Sequence, residues 1–403
     1  MCNKENYVVR IEMLPANEGD CFLITLGKED IHILIDGGTK ETYRNCLRER
    51  LIKLNEEEKS IDLLVVTHVD NDHIGGIIEL LQENKSLSES KIIKIKNIWH
   101  NSYRHLQFEK SKQIGRKEEQ ILRKIVSNGE TILQGKGRHG KKGISALQGT
   151  TLAALILSGG YAWNQHFRGG AIIKNKEEID LGNDCFISVL LPQVSNLEKL
   201  AKRWRNELRK SKFSFVFSED ELFDDAFEYY FRYLPTNNQG ENREICFGKD
   251  KIDELTIEEL ASKQGKMDNS DTNRSSISLI IRYKEKKMLF IADNLADEVL
   301  GALSEDSKKV SLIKMPHHGS INNISDNFIE KIDTDTYLIS TSSEKFEHPN
   351  METLAKITSK KTEYKKKVIF NYKIEKVCEF EKKLDGIDNI EFIYLEKGQE
   401  IVL

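Results

Sequence analysis

The sequence predicts an α/β protein whose two α/β ends enclose a longer, more helical middle. Three observations carry this. The first third holds short β-rich runs closed by turn residues, YVVRIEML, CFLITLG and IHILIDGG. The middle is polar and keeps helical spacing over long stretches. Strand character returns with SSISLIIRY and KMLFIAD and then alternates with helices to the end.

Taken in order, CFLITLG and IHILIDGG are separated only by KED, a hairpin spacing. ETYRNCLRERLIKLNEEE has helical periodicity, and IDLLVVTH reads as a buried strand. IGGIIELLQENK reads as a helix beginning at Ile74, with Gly75 and Gly76 permitting close packing at its start. Beyond KIIKIKNIWHNSY, two helices are predicted in QFEKSKQIGRKEEQILRKIVSNG and ISALQGTTLAALILSGGYAW, joined by the basic loop QGKGRHGKKG. A strand pair, AIIKNKEEIDLGNDCFISVLLP, follows, and then polar, helix-biased sequence runs from NLEKLAKRWRNELRK through DELTIEELASKQGK. In the last third a KEKK turn separates two strands, ADEVLGALSE is helical, and KVSLIKMP leads into HHGS. NFIEKI and METLAKITSKK are helical; TYLIS, KVIFNY and IEFIYLE are strands.

At 403 residues the chain admits one large domain or two ordinary ones. The reading adopted is a single domain over 1–403 with a mostly helical insertion at 101–270. Charged residues make up 31%, yet they nearly cancel to a net charge of -4, so no global field favours nucleic acid. Any anionic substrate must be attracted locally. The six cysteines are scattered without CxxC spacing, which excludes a disulfide framework and a cysteine-based zinc finger. MCNKENYVV lacks a cationic start followed by an apolar stretch, and no run approaches the length of a membrane span. The expectation is a cytoplasmic protein without membrane contact, its oligomeric state left open.

One stretch stands apart. THVDNDHIGG places His68, Asp70, Asp72 and His73 within six positions at the end of a buried strand. Singly, each is an ordinary cap or turn residue. Together they offer imidazole nitrogen and carboxylate oxygen, the donors that zinc, manganese and iron accept, where α/β proteins commonly place ligand sites.

This stretch resembles the second motif of the metallo-β-lactamase fold, usually H-x-H-x-D-H, with Asp70 where most members have a histidine. The form H-x-D-x-D-H-I-G-G is similar to the branch containing the metallo-hydrolase domain of ComEC-type DNA-uptake proteins. EGDCFLI and ILIDGG resemble that branch's opening hairpin, with Asp36 on the first-motif aspartate. FIADN resembles the T-G-D strand end and places Asp293 at the metal-bridging carboxylate. MPHHGS resembles P-H-H-G-S, with His317 as the last histidine ligand, and FEHPN resembles a terminal G-H-P element marking His348. The resemblance spans Glu18 to Asn350, weakly between about Lys91 and Asp271.

It implies an αββα four-layer sandwich, two sheets face to face with helices outside and metal along one edge. It gives His68 and Asp70 to a first metal, Asp72, His73 and His317 to a second, and Asp293 to both. The third-motif histidine has no counterpart in VLLPQVSN; His100 is a stand-in only if a loop has moved. Asp70 in place of an imidazole moves preference from zinc toward manganese or magnesium. One or two divalent ions are expected as cofactor. Asp36 is read as orienting a ligand or water, with Asp20 offered for the same role beside a plain turn reading. His318 and His348 are candidates for contacting a phosphoryl oxygen or protonating the leaving group. The basic residues Lys136, Arg138, His139, Lys141 and Lys142 are weighed as a backbone-tracking loop against a merely solvated one. The implied activity is metal-dependent hydrolysis of a phosphodiester, DNA or RNA being the expected partner, with an effector role in bacterial anti-phage defence as an extension. A small ester, lactone or cyclic nucleotide as substrate, and a weakly metal-binding scaffold, stand as alternatives. The central insertion is expected to shape substrate entry or to bind a partner protein.

Overall fold

The computed structural model describes residues 8–28, 31–110, 113–133, 151–212, 217–233, 255–384 and 386–403. The basic loop carrying Lys136, Arg138, His139, Lys141 and Lys142 lies outside them.

Fourteen strands build two sheets among the described residues. The first runs in the order β14 (Glu400–Val402), β1 (Val9–Met13), β2 (Phe22–Leu26), β3 (Ile31–Ile35), β4 (Leu63–Val65), β5 (Ile98–Trp99). The hairpin expected around KED pairs β2 with β3 antiparallel, and β3, β4 and β5 then run parallel. The second sheet has β13 (Ile390–Tyr394), β12 (Lys366–Phe370), β11 (Thr336–Ile339), β10 (Leu312–Lys314), β9 (Lys286–Phe290), β8 (Ser278–Tyr283), β7 (Cys185–Leu191) and β6 (Ile179–Gly182) in that order. From β9 to β13 the strands are parallel.

Side-chain alternation explains why the sheets stack. Ile24, Ile33, Leu63 and Val65 point inward to a core shared with Ile187, Leu279, Ile281 and Met288 of the other sheet. Their neighbours Leu23, Leu34 and Leu64 point outward onto helices. Leu312, Leu338 and Ile369 face in, whereas Ile313, Tyr337 and Val368 face out onto a third apolar layer. Because a strand's side chains alternate, one apolar run is buried on both faces and demands helices outside. That yields four layers.

Seven helices of the first two thirds matter here: α1 (Lys40–Thr42), α2 (Arg48–Glu56), α3 (Asn71–Asn84), α4 (Arg116–Leu133), α5 (Leu152–Ser158), α6 (Val194–Lys210) and α7 (Glu221–Tyr233). The helix expected from Ile74 begins three residues earlier, at Asn71, because Asp70 takes the N-cap position and its carbonyl accepts from the His73 and Ile74 amides. Asp72 and His73 are therefore held in a first helical turn rather than in a loop. Gly76 meets the preceding β3 loop so closely that a Cβ would lie 2.0 Å from the Gly37 carbonyl oxygen.

Within 101–270, β6 and β7 belong to the second sheet, while α4, α6 and α7 form a separate apolar cluster around Tyr103, Trp204 and Phe227. Val69, between His68 and Asp70, packs into that cluster. The helical unit thus sits on the loop that carries His68 and Asp70. Among the described residues no helix is long and apolar enough to cross a membrane.

Candidate metal centre

Strands from both sheets end at one edge. His68 follows β4, Asp293 follows β9, His317 and His318 follow β10, and Asp20 precedes β2. The Ile277 amide donates to the Thr67 carbonyl across the two sheets at 3.0 Å, closing that edge.

Asp293 lies at the centre. Its Oδ2 stands 3.5 Å from Nε2 of His73, 3.7 Å from Nε2 of both His317 and His318, and 3.8 Å from Nε2 of His68. Two donors bound at about 2.1 Å to one tetrahedral ion are themselves about 3.4 Å apart, so this spacing suits ligands grouped for metal. The Nε2 atoms of His68, His73 and His318, and Oδ1 of Asp293, are buried and make no hydrogen bond. Such orphaned polar atoms are costly unless something binds them.

Every Nδ1 of the four imidazoles is tied elsewhere. His73 Nδ1 is 2.8 Å from Asp36 Oδ2, and His318 Nδ1 donates to the Ser340 carbonyl at 2.8 Å. The Thr67 hydroxyl donates to Asp36 at 2.7 Å, which leaves its oxygen to accept from His68 Nδ1 at 3.0 Å. His317 Nδ1 is 3.0 Å from Asn323 Oδ1 and 3.4 Å from Asp268 Oδ2. A carbonyl only accepts, so neutral His318 must carry its proton on Nδ1 and present a lone pair at Nε2. Anchoring one ring nitrogen to free the other is how metal-binding histidines are held.

The remaining candidates fall into place around this ring. Asp70 Oδ2 is 3.8 Å from His68 Nε2, with its side chain a third exposed. Asp72 Oδ2 lies 3.9 Å from His318 Nε2 and 4.0 Å from His73 Nε2. His68, His73 and Asp293 form one compact donor group; Asp72, His73 and His318 form another; Asp20, Asp36 and His73 a third. His317 joins through Asp293. Asp36 is fully buried beneath the ring, accepting from the Thr67 amide as well. His348 is buried at the mouth, its ring 5.2 Å from that of His317 and its Nδ1 without a hydrogen bond. His318, a candidate for substrate contact from the sequence, lies within the ring, its Nε2 3.7 Å from Asp293 Oδ2. His100 turns away: its Nε2 is 3.4 Å from Glu228 Oε1, in a buried network with Ser102 and the α5 amides.

Electrostatics sharpen the picture. Burial opposes charge on His73, but Asp293 and Asp36 overcome it and raise its pKa well above the ordinary value. Burial, then His73, pushes His68 well below it. Against the cost of burial, Asp293 and Asp268 raise His317 to about 9. Loss of water and the neighbouring Asp72 push the Asp70 carboxyl up to about 7. Asp20, Asp36, Asp70, Asp72 and Asp293 crowd carboxylates into one pocket, an arrangement that calls for cations. Metal binding there would displace protons from the histidines.

Three polar partners were absent from the sequence reading. Lys314 is 1% exposed, pairs with Asp20 and stands 3.7 Å from Asp293 Oδ1. Its only sequence signal is a lysine closing the apolar run SLIK. Asp268 and Asn323 had no signal, lying among ordinary turn residues.

The family model of the metallo-beta-lactamase superfamily matches residues 14–126. No curated protein matches the chain. Among solved structures, the metallo-beta-lactamase fold protein YhfI from Bacillus subtilis matches with 8% identity and a TM-score of 0.39, over 98% of this chain and 100% of that one. CmlA, a diiron beta-hydroxylase from Streptomyces venezuelae, matches with 10% identity and a TM-score of 0.36 over 100% of this chain; the chain spans 54% of its length. With two stacked sheets, helices on both outer faces and this match over residues 14–126, the chain has the metallo-beta-lactamase fold.

Proposed function

We propose that the protein is a metal-dependent hydrolase of phosphodiesters, most simply a nuclease. The observation that supports it best is the Asp293 carboxylate ringed by four imidazoles, each anchored at Nδ1. His68, Asp70, Asp72, His73, His318 and Asp293, with His317 beside them, would hold one or two divalent ions, zinc or manganese, magnesium also being accepted by the carboxylates. When bound, such ions supply a water-derived nucleophile at neutral pH and neutralise charge developing on a phosphoryl group. The chain's own part is to hold and orient. Asp36 fixes the His73 ring directly and the His68 ring through Thr67. His348, buried beside His317, is the further candidate for contacting a substrate or leaving oxygen.

Two features at the mouth favour a nucleic-acid substrate. Phe346, two residues before His348, is 44% exposed, and the Lys345 ammonium lies 4.8 Å from its ring. An exposed aromatic beside a cation suits a stacked base and its phosphate. The H-x-D-x-D-H-I-G-G resemblance to the ComEC-type branch points the same way. The helical unit resting on Val69 would border the approach to the site.

The test is incubation of purified protein with manganese or zinc and plasmid DNA, single-stranded DNA, RNA or bis(p-nitrophenyl) phosphate. Polymer cleavage that disappears with a chelator and with Asp293→Ala is expected. Cleavage of the small reporter alone, in every metal, would move the substrate to a small ester.

A further inference from the structure

The strand end where the resemblance places a third-motif histidine holds no imidazole. β7 ends at Leu191, and Pro192 and Gln193 lead directly into α6. Beside His68, Asp70 and Asp293, the first metal position would be short of one donor. We propose that His317 is that donor, with Asp268 positioning it, and that His318 takes the place at the second position which the resemblance gives to His317. This rests on the metal-dependent reading above.

The HH pair is built to serve two positions. His317 and His318 both have positive φ, 43° and 57°, a conformation that L residues adopt sparingly. Their rings stand 5.7 Å apart and 69° from coplanar, yet both Nε2 atoms lie 3.7 Å from Asp293 Oδ2. The two imidazoles therefore reach the same Asp293 oxygen with their rings turned differently. His318 is 2% exposed, 3.9 Å from Asp72 and 3.5 Å from Asp20, and forms one compact donor group with Asp72 and His73. His317 is 26% exposed and lies outside that group, reaching the site through Asp293.

His317 is anchored like the other three imidazoles, through Asn323 Oδ1 at 3.0 Å from its Nδ1 and through Asp268. Its Oδ2 lies 3.4 Å from His317 Nδ1 and accepts from Asn273 Nδ2 at 2.8 Å and Asn323 Nδ2 at 3.2 Å. Its Oδ1 accepts from the Ser270 amide at 2.8 Å. Asn323 also donates to the Asp293 carbonyl at 3.0 Å, tying this clamp to the bridging residue. A carboxylate so held keeps the His317 ring turned with Nε2 toward the site.

With this assignment the two positions become chemically alike. Each has two imidazoles, one terminal aspartate and a share of Asp293: His68, His317 and Asp70 on one side, His73, His318 and Asp72 on the other. Mixed nitrogen and oxygen donors without thiolate suit manganese, iron or zinc. Comparable affinities at both positions follow, rather than one strong and one weak.

The experiment is cobalt(II) titration of chelator-stripped full-length protein, read by visible absorption and by metal counted after desalting. Asparagine tolerates positive φ, so His317→Asn and His318→Asn keep the backbone. Wild type should bind two ions per chain. His317→Asn should bind one and match Asp70→Asn in its spectrum; His318→Asn should bind one and match Asp72→Asn. Combining His317→Asn with Asp70→Asn should remove nothing further, whereas adding Asp72→Asn should remove both ions. Asp268→Asn should weaken only the first position, about 10- to 100-fold, and Asp268→Glu should recover part of the loss. Wild type binding no ion would sink the hydrolase reading and this assignment together. Two ions retained at wild-type affinity by His317→Asn would overturn the assignment alone.

Discussion

Lys314→Met removes the ammonium buried between Asp20 and Asp293 while keeping most of the side-chain length. At 3.7 Å and an effective dielectric of about 20, attraction between Lys314 and Asp293 is about 4 kcal/mol before any desolvation. Asp20 is nearer still and only 2% exposed. Stripping one partner from a buried pair leaves an uncompensated charge and costs about 3–5 kcal/mol, a large part of a stability of about 5–15 kcal/mol. Burial opposes charge on both groups, but Lys314 lowers the Asp20 pKa, and Asp20 with Asp293 raises that of Lys314. The Asp20 contribution is complete above its unfolded value, about 3.9, and is lost as pH falls through the folded one. The Lys314 contribution is complete below about 10.4 and is lost as pH rises through its folded value. Between about pH 5 and 9 the pair contributes constantly, so pH 7.5 is a sound condition. Urea unfolding followed by circular dichroism should show chelator-treated Lys314→Met destabilised by that amount. Metal should restore part of it by neutralising Asp293. The double variant Lys314→Met with Asp20→Asn should also recover much of the loss, because neither charge remains. A single-variant cost under about 1 kcal/mol, or a double variant no better than the single, would refute the reasoning.

Three further outcomes are expected. Burial raises the Asp225 carboxyl to about 7 despite its 2.5 Å hydrogen bond from the Thr151 hydroxyl, so stability should fall as pH rises from about 4 to 7; Asp225→Asn should flatten that slope, a gain on the order of 3 kcal/mol at pH 8 in urea unfolding. Phe346→Ala should raise KM for single-stranded DNA or RNA about tenfold, with kcat and hydrolysis of bis(p-nitrophenyl) phosphate unchanged, as steady-state kinetics would show. Gly76→Ala should destabilise by about 1–3 kcal/mol, although alanine favours helix, because its Cβ meets the Gly37 carbonyl; the displaced first turn of α3 should also weaken metal binding, measurable by cobalt titration.

The two α/β ends, the KED hairpin and the strand closing at THVD were legible in the amino-acid sequence because each depends on short-range periodicity. So were His68, Asp70, Asp72 and His73, which crowd one strand end and helix start whatever the rest of the chain does. Asp293 and the HH pair were reached only through motif resemblance, since their own neighbourhoods carry few ligands. Three features were settled by packing alone. Lys314 finds Asp20 across 294 positions because β10 ends beside the turn before β2. Asp268 and Asn323 reach His317 from turns whose residues look ordinary in isolation. His318, not His317, is buried against Asp72 because two successive left-handed residues aim adjacent side chains apart. Local pattern and motif resemblance thus marked the candidate donors. Their division of labour follows from which strand ends the stacked sheets bring to a common edge, a long-range arrangement that no window of sequence contains.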